Sequence, residues 1–481
     1  MQSEIDRIKE VFTANNPQEI ISFDKLPQAG SERHYYRIST NNQTYIATHG
    51  ANVPENIAFI YFSDHFRKKN LPTAEIYYIS EDKTIYIQED FGDVSLLDEL
   101  ESKGFTSELY ELYKQSLAKL ALLQIKGDKD LDYNKCLTNT TFGKQAIMAD
   151  LLYFKYYFVD ALRRPYDKQK LIDDFEALSN YLSHTEYKYF MFRDFQSRNI
   201  MVTPDKNVHF IDYQGGMNGA PQYDVASLLS QARANLPEDW KQFLLDDYIN
   251  AFENIIEKPI DRDVFKSQYN GYVLIRMLQV LGAYGFRGLF ERKAHFLSSI
   301  PLALQNLRGF LNNQSIGIAV PELKKVLELC VSDEVIKEFT NNRATEGTPL
   351  VVKINSFSYL KTGYPKDETN NGGGFVFDCR GILNPGRFEE YKKKSGQDKS
   401  VKDFLEQETK MPDLLNNIYN IIDISVEDYI CRGFESLVVN FGCTGGQHRS
   451  VYAAEAVARH LKNKFGVKIE LNHHNEQNWV R

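Results

Sequence analysis

The chain has 481 residues, too many for one ordinary core, so two or three domains are expected at the usual ~100–200 residues each. Hydrophobic residues make up 42%, charged residues 25% and aromatics 13%, which excludes a disordered or fibrous chain and fits globular cores rich in Tyr and Phe. Against 57 basic residues stand 65 acidic ones, and the formal charge of −8 excludes a generally basic surface for nucleic acid or an anionic membrane, leaving only a local basic site for either.

The amino terminus, MQSEIDRIKEVFTANN, is amphipathic and charged, without the apolar run and cleavage site of a secretory signal, so no export is expected. Lys, Arg, Asp, Glu or Asn interrupts every hydrophobic run before the ~18–20 residues that span a bilayer, so no membrane partner is expected. Cys136, Cys330, Cys379, Cys431 and Cys443 are widely spaced and lack a CxxC pair, which points to reduced thiols in a cytoplasm rather than disulfides or structural zinc.

From Tyr35 to Gly92 the segments YYRIST, QTYIATHG, EIYYIS and KTIYIQEDFG read as short strands, interrupted by a helix from about Glu55 to Lys69. Apolar residues then recur at three and four from Ser95 to Ser183, as in LYELYKQSLAKLALLQI, and the helical pattern resumes after strand-like pieces near 188 and 208. A small β-rich lobe of residues 1–93 therefore precedes a helical lobe of residues 94–339. The polar stretch from Thr340 to Pro349 reads as a linker, placed at 340–348. Beyond it, PLVVKINSFSY, GGGFVFDCR and SLVVNFGCTGG have buried-strand patterns alternating with helices such as VYAAEAVARHLKNKF, which predicts an α/β domain over 349–481 with a mainly parallel sheet. The fold class expected is a bilobal α+β module followed by this smaller α/β domain. From Thr348 onward 18 basic residues nearly balance 17 acidic ones, so the acidity belongs to the first module.

Chemistry concentrates in FMFRDFQSRNIMVTPDKNVHFIDYQGG. Arg193-Asp194 is followed by Asn199, and thirteen residues after Asn199 a strand delivers Asp212. Phosphoryl transfer needs a carboxylate to orient and deprotonate an acceptor hydroxyl, a role that suits Asp194 as the catalytic residue. It also needs oxygen ligands for Mg²⁺, which suits Asn199 and Asp212. Asp and Asn are also the commonest turn residues, but the strand-borne Asp212 and the β-then-α lobe order favour a metal-nucleotide site.

This part resembles the aminoglycoside-phosphotransferase and choline-kinase superfamily, related in fold to protein kinases, over roughly residues 1–335. It is most similar to bacterial cell-wall sugar kinases that phosphorylate N-acetylmuramate and N-acetylglucosamine at the anomeric hydroxyl. Gly30-Ser31-Glu32-Arg33-His34-Tyr35-Tyr36-Arg37 resembles their phosphate-covering loop, and Gln88-Glu89-Asp90-Phe91-Gly92-Asp93 their interlobe hinge. Tyr223-Asp224-Val225-Ala226-Ser227 resembles the segment that supports the catalytic loop, which implies a structural role for Asp224. The resemblance implies ATP or GTP as donor, Mg²⁺, a sugar substrate, and nucleotide contacts from Gly30, Ser31, Arg33, Glu89 and Phe91. One departure matters: most kinases of this superfamily carry Lys or Arg on the third strand, whereas Gln43 to His49 offers Ala47 or Thr48 there. Phosphate charge then falls to Mg²⁺, Arg33, His49 or another group, and Glu55 lacks the Lys it would pair with.

In the second module, Phe441-Gly442-Cys443-Thr444-Gly445-Gly446-Gln447-His448-Arg449-Ser450 follows a strand and opens a helix. Adjacent glycines let backbone N–H groups turn inward, the helix N-terminus adds positive potential, and His448 and Arg449 add charge-assisted donors, so an anion fits. Cys443 and Arg449 also fit the C-x5-R-S pattern of cysteine-dependent phosphatases, with Asp378 as a candidate general acid. The loop, with Ser356 to Gly363 and Phe377-Asp378-Cys379-Arg380 followed by Asn384-Pro385-Gly386, resembles the carboxy-terminal domain of RapZ proteins over about residues 349–481. Those are RNase adaptors that sense glucosamine-6-phosphate and bind small RNAs, and the P-loop of their amino-terminal half is absent from this sequence. The resemblance implies a phospho-aminosugar ligand at Cys443, Thr444, Gly445, Gly446, His448, Arg449, Ser450, Asp378 and Arg380. RNA is disfavoured by the near-neutral charge of the module, although Lys392-Lys393-Lys394 is a basic run, and His473-His474 is expected to serve surface or packing roles.

The function expected is a Mg²⁺-dependent nucleotide:sugar phosphotransferase of the amino-sugar class, fused to a phospho-aminosugar sensor. The alternatives are a nucleotide-binding regulator that engages RNA or a protein, and a phosphatase acting through Cys443.

Overall fold

The computed structural model describes residues 3–26, 33–231, 233–291, 294–297, 299–340, 343–367 and 373–480. The proposed phosphate-loop residues Gly30 and Ser31 lie outside the described residues.

Helix α1 (Glu4–Asn15) starts in a capping box, in which Ser3 Oγ accepts from the Asp6 N–H and the Asp6 carboxylate accepts from the Ser3 N–H. Five antiparallel strands follow in the order β1-β2-β3-β5-β4: β1 (Ser22–Lys25), β2 (His34–Ser39), β3 (Thr44–His49), β4 (Ile76–Ile79) and β5 (Ile85–Glu89). Alternation along these strands buries Tyr36, Ile38, Tyr45, Ala47, Ile85 and Ile87 against Ile8 and Phe12 of α1. Helix α2 (Val53–Arg67) is capped by Asn52 and has Pro in its first turn; it buries Phe59, Phe62 and Phe66.

The helical lobe comprises α3 (Leu96–Lys103), α4 (Ser107–Asp128), α5 (Lys144–Phe154) and α6 (Lys168–Ser183), then α7 (Gln222–Leu229), α8 (Glu238–Ile256) and α9 (Arg262–Tyr284). Between α6 and α7 run four three-residue strands in two antiparallel pairs. They are β6 (Tyr189–Met191) with β9 (Met217–Gly219), and β7 (Ile200–Val202) with β8 (Val208–Phe210). The loops of these pairs carry Asp194, Asn199 and Asp212. The lobe order expected from the sequence is therefore present, with α1 and β1 added.

Further helices are α10 (Ala294–Leu297), α11 (Ile300–Asn313), α12 (Pro321–Cys330) and α13 (Asp333–Phe339). The carboxy-terminal sheet has four parallel strands in the order β11-β12-β10-β13: β10 (Val351–Ser358), β11 (Phe375–Asp378), β12 (Ser436–Cys443) and β13 (Lys468–His473). Helices α14 (Lys399–Gln407), α15 (Met411–Arg432) and α16 (Arg449–Phe465) supply Val401, Leu405, Ile418, Ile422, Val457 and Leu461 to its core. The fourth strand, β13, has no apolar run to announce it; KIELNH alternates partly buried and exposed residues along one edge of the sheet.

Contacts divide the chain into two units, residues 1–155, 164–280 and 306–328 against residues 156–163, 281–305 and 329–481. The second unit thus gathers helical segments that precede the linker read at 340–348. Within it Phe158 stacks on Phe339 and Tyr157 packs edge-on against Phe286 and Phe290. Helical periodicity marks such residues as buried without naming the core they join. The expectation that no apolar run approaches a membrane span needs correction, because the helix Arg262–Phe290 is long and apolar enough by length and composition. Its Tyr272, Ile275 and Leu278 are buried, as in the core helix of a globular lobe.

Behind the parallel sheet, Asp423 of α15 lies 2.8 Å from both His460 Nε2 and Lys464 Nζ of α16, and all three side chains are at most 15% exposed. Asp423→Ala leaves the Lys464 ammonium buried without its carboxylate and is expected to cost about 3–5 kcal/mol in denaturant unfolding. A loss below about 1 kcal/mol would contradict this account of the packing.

Candidate active site

Asp194 follows β6 on a loop whose backbone is gripped from below. The Asp224 carboxylate, in the first turn of α7 and fully buried, accepts the N–H groups of Phe192 at 2.7 Å and Arg193 at 2.9 Å, with Gln124 Nε2 at 3.0 Å. Arg193 takes φ +80°, a conformation that costs a non-glycine residue energy and persists only under such restraint. Asp194 accepts from Gln196 Nε2 at 2.7 Å and from Arg198 at 3.3 Å, and its side chain remains 38% exposed, reachable by an acceptor. Asn199 donates to the Asp194 carbonyl at 2.9 Å and lies 3.5 Å from Asp212 Oδ2. The three residues singled out in the sequence therefore converge.

Asp212 also has positive φ, +70°, and its neighbours hold it there. Tyr213 stacks on Phe59 of α2 at 4.8 Å and shares a 2.6 Å hydroxyl contact with Ser63. Gln214 donates to Asp212 Oδ1 at 2.8 Å and to Glu55 Oε1 at 3.4 Å. Its own Oε1 is buried without a hydrogen bond among the described residues. Asn199 spends its amide nitrogen inside the loop, which leaves its oxygen, the Asp212 carboxylate and Gln214 Oε1 as a hard-oxygen set that fits Mg²⁺.

Glu55 does have a cationic partner. Arg33, just ahead of β2 and 4% exposed, places Nη2 2.6 Å from Glu55 Oε1, while Ala47 and Thr48 of β3 are fully buried. Burial opposes the Arg33 charge, yet Tyr86, Tyr35 and Glu55 together hold its pKa above the ordinary value. The backbone beside it is tight: a Cβ on Gly50 would come within 2.7 Å of Asn56 Oδ1 and 3.4 Å of Arg33 Cγ. His49 faces Glu4 instead, at 3.4 Å.

At the hinge, Asp90 is tied to Arg37 of β2 by contacts of 2.6 and 3.0 Å, and Arg37 also reaches Asp93 at 2.6 Å. Glu89 at the end of β5 accepts the Glu75 N–H on its carboxylate at 3.3 Å and donates its own N–H to the Glu75 carbonyl at 2.9 Å. Phe91 is buried and stacks on His209 at 4.2 Å; burial and Lys119 push the His209 pKa down to about 4, so the ring is neutral. Both hinge side chains thus have intramolecular partners.

Sequence reasoning missed a cluster from three distant segments beside Asp194. Arg193 and Arg276 of α9 both donate to the Tyr223 hydroxyl, at 2.8 and 2.9 Å. Asp150 of α5 accepts from Gln279 at 3.2 Å, and its Oδ2, 3.8 Å from Arg193, makes no hydrogen bond among the described residues. Burial raises the Asp150 pKa against the pull of Arg193 and Arg276. No local motif marks such a cluster, because its members are far apart in sequence.

In the second unit the loop after β12 closes on itself. Cys443 Sγ accepts the Gly446 N–H at 3.2 Å and lies 3.1 Å from Ser450 Oγ. Gly446 has φ +63°, and a Cβ there would come within 2.8 Å of Ser358 Cβ and 2.9 Å of Asn475 Cβ, so glycine is required. Asn475 and the Trp479 indole hold the Gly445 and Gly446 carbonyls at 2.7 and 2.8 Å, which leaves the exposed Thr444-Gly445 turn at the carboxyl end of β12. Helix α16 begins there with no side-chain cap from His448. Arg449 donates to the Arg380 and Ile382 carbonyls at 3.0 and 2.8 Å, and its Nε is buried without a hydrogen bond among the described residues.

His448 differs from its expected role as a charged donor. Its Nε2 lies 2.9 Å from the Tyr391 carbonyl, and burial lowers its pKa despite that bond, so it braces the loop as a neutral ring. Asp378 pairs with Arg380 at 2.7 Å, which lowers its pKa and makes it an ionised carboxylate, unsuited to the general-acid step of a phosphatase. Arg380 lies over the Tyr359 ring at 4.1 Å. Lys392 and Lys394 are engaged by Glu389 and Ser400, and His473 and His474 by Ser356 and Asn355.

Residues 25–262 match the family model described as phosphotransferase enzyme family, and residues 350–477 match that of the RapZ C-terminal domain. A nucleotide-binding protein of Fervidobacterium nodosum is 31% identical over 264 residues, covering 52% of this chain and 84% of the relative. One from Endomicrobium trichonymphae is 34% identical over 160 residues, covering 32% of this chain and 49% of the relative. The chain thus spans about half the length of the second relative. Among solved structures, choline kinase LicA from Streptococcus pneumoniae is similar at 12% identity and a TM-score of 0.40, over 64% of this chain and all of that one. Plasmodium vivax ethanolamine kinase is similar at 14% and 0.42, over 60% of this chain and 82% of that one. Likenesses of that size are too weak to carry function.

Burial raises the Asp224 carboxyl to about 6 against the hydrogen bonds from Phe192, Gln124 and Arg193. A folded pKa above the unfolded one means that this group's stabilising contribution is complete below about pH 4 and is lost as pH rises through 6. The stability difference between wild type and Asp224→Asn is therefore expected to shrink by up to about 3 kcal/mol between pH 4 and 7 in urea unfolding. A difference that does not change with pH would contradict it.

Proposed function

Because the chain belongs to the family of these nucleotide-binding proteins and carries a phosphotransferase-enzyme domain ahead of its RapZ C-terminal domain, we propose that it is an amino-sugar kinase whose second unit senses a phospho-aminosugar. The observation that carries the reading is the convergence of Asp194, Asn199 and Asp212 with the Arg33–Glu55 ion pair.

In this reading Asp194 orients the acceptor hydroxyl and takes its proton as the oxygen attacks the terminal phosphorus of ATP or GTP, the bridging O–Pγ bond breaks and the nucleoside diphosphate leaves. Gln196 and Arg198 hold its carboxylate turned toward the acceptor. Asn199, Asp212 and Gln214 would hold Mg²⁺, which when bound would neutralise charge on the nucleotide phosphates. Arg33 supplies the phosphate-facing cation that other members of the superfamily place on the third strand, and Glu55 fixes its position. The hinge from Glu89 to Phe91 meets the base through its backbone. Asp150, with an unsatisfied buried oxygen, accepts from sugar hydroxyls, and Arg193 and Arg276 limit the acceptor's approach to Asp194.

In the second unit, the exposed Thr444-Gly445 turn and the N-terminus of α16 receive a phosphate, backed by the Arg449 guanidinium. Cys443 and Ser450 shape the floor of the loop, Gly446 sets its turn and His448 braces its wall. Asp378 and Arg380 at the rim offer a carboxylate for a sugar amine and a cation for a phosphate oxygen. The reading assigns the chain to the cytoplasm, where such sugars and nucleotides meet. RNA is not favoured, since two of the three clustered lysines are already engaged.

Asp194→Asn is expected to lower phosphoryl transfer by about 10³-fold or more while leaving nucleotide affinity within a fewfold, and Arg33→Ala to weaken nucleotide binding by about tenfold. Turnover and calorimetric nucleotide titration check both. Undiminished turnover of the Asp194 variant would overturn the assignment.

A further inference from the structure

Glu4, His34 and His49 form a cluster outside the chemistry described above. Glu4 is the first residue of α1, His34 opens β2 and His49 closes β3, and the antiparallel register sets the two histidines opposite each other. The Glu4 carboxylate enters between them. Its oxygens lie 2.9 and 3.0 Å from His34 Nδ1, and one of them lies 3.4 Å from His49 Nδ1. The three ligand atoms all fall within 4.8 Å of one another.

We propose that Glu4, His34 and His49 bind a divalent transition-metal ion of the zinc class, with water completing the coordination. Bonds of about 2.0–2.2 Å in a tetrahedral set place ligand atoms roughly 3.3 Å apart. The Glu4 to histidine separations of 2.9, 3.0 and 3.4 Å bracket that spacing. Rotation of the imidazole rings closes the wider separation within the cluster. Two imidazoles and one carboxylate favour Zn²⁺, Ni²⁺ or Cu²⁺ over the oxygen-seeking Mg²⁺ and Ca²⁺.

Two surrounding features support a built site. Tyr36 donates its hydroxyl to Glu4 Oε1 at 2.9 Å, the outer hydrogen bond that fixes a ligating carboxylate and leaves its other oxygen for the ion. The backbone is fixed on all three sides, by the Ser3 and Asp6 capping box and by the β2–β3 ladder, while the side chains remain 34%, 25% and 23% exposed for His34, Glu4 and His49, enough to admit an ion. The occupied site would lock α1 to the strand ends that border Arg33 and Gly50. It stands independently of the phosphotransfer reading, because none of the three residues serves in that reading.

Zn²⁺ titration of the full chain against a chromogenic chelator is expected to show one equivalent bound with micromolar or tighter Kd, weakened at least tenfold in Glu4→Gln and in the double variant His34→Gln/His49→Gln. No binding below about 100 μM, or equal affinity in the double variant, overturns the proposal. Should the variants fail to fold, Co²⁺ spectra of the wild type decide. Bands of a low-coordinate nitrogen–oxygen site without a thiolate charge-transfer band support it, and a thiolate band or no spectral change overturns it.

Discussion

The carboxylate of Glu55 is the joint on which the Asp194, Asn199 and Asp212 site depends. Its Oε1 receives Arg33 from the strand side at 2.6 Å and Gln214 from the loop side at 3.4 Å, so one oxygen couples the small lobe to the loop that carries Asp212. A partly buried ion pair of this kind has a desolvation cost, and losing one partner leaves the buried Arg33 charge stranded. Arg33 is therefore held in place from just ahead of β2, where the proposed reading puts a phosphate-facing cation.

From Glu55 the restraint passes inward. Gln214 orients Asp212, Tyr213 locks the same loop against Phe59 and Ser63, and Asn199 links Asp212 to the Asp194 backbone. Asp224 grips two consecutive N–H groups ahead of Asp194. Positive φ at Arg193 and Asp212 fits this pattern, since strained backbone survives only where surrounding contacts over-determine it. In the second unit the loop proposed to hold an anion is built by other means: a glycine turn, a helix N-terminus and an arginine held by two carbonyls.

What the sequence revealed follows from how local each signal is. Asp194, Asn199 and Asp212 fall within nineteen residues on the loops around one short hairpin, so their convergence was legible, as was the strand–loop–helix passage from Phe441 to Ser450. The Arg33–Glu55 pair was half visible, since Glu55 was seen without its partner. Gln214 and the Asp150, Arg276 and Gln279 group were invisible, because α5, α9 and the catalytic loop meet only through tertiary packing. His448 misled for a related reason: a His beside an Arg in a loop looks like a charged donor until burial and the Tyr391 carbonyl show it to be neutral. The edge strand β13 and the helical segments that join the second unit lacked any periodicity that named their partners.

The central claim is that the cleft transfers phosphate to an amino sugar and that the second unit reads the product class. The direct measurement is ³¹P NMR of the wild-type chain with ATP or GTP, Mg²⁺ and a panel of amino sugars, in parallel with and without glucosamine-6-phosphate. The account predicts a new sugar-phosphate resonance at the expense of the γ-phosphate, and a rate altered by glucosamine-6-phosphate. Nucleotide that binds but leaves every amino sugar unphosphorylated would contradict it.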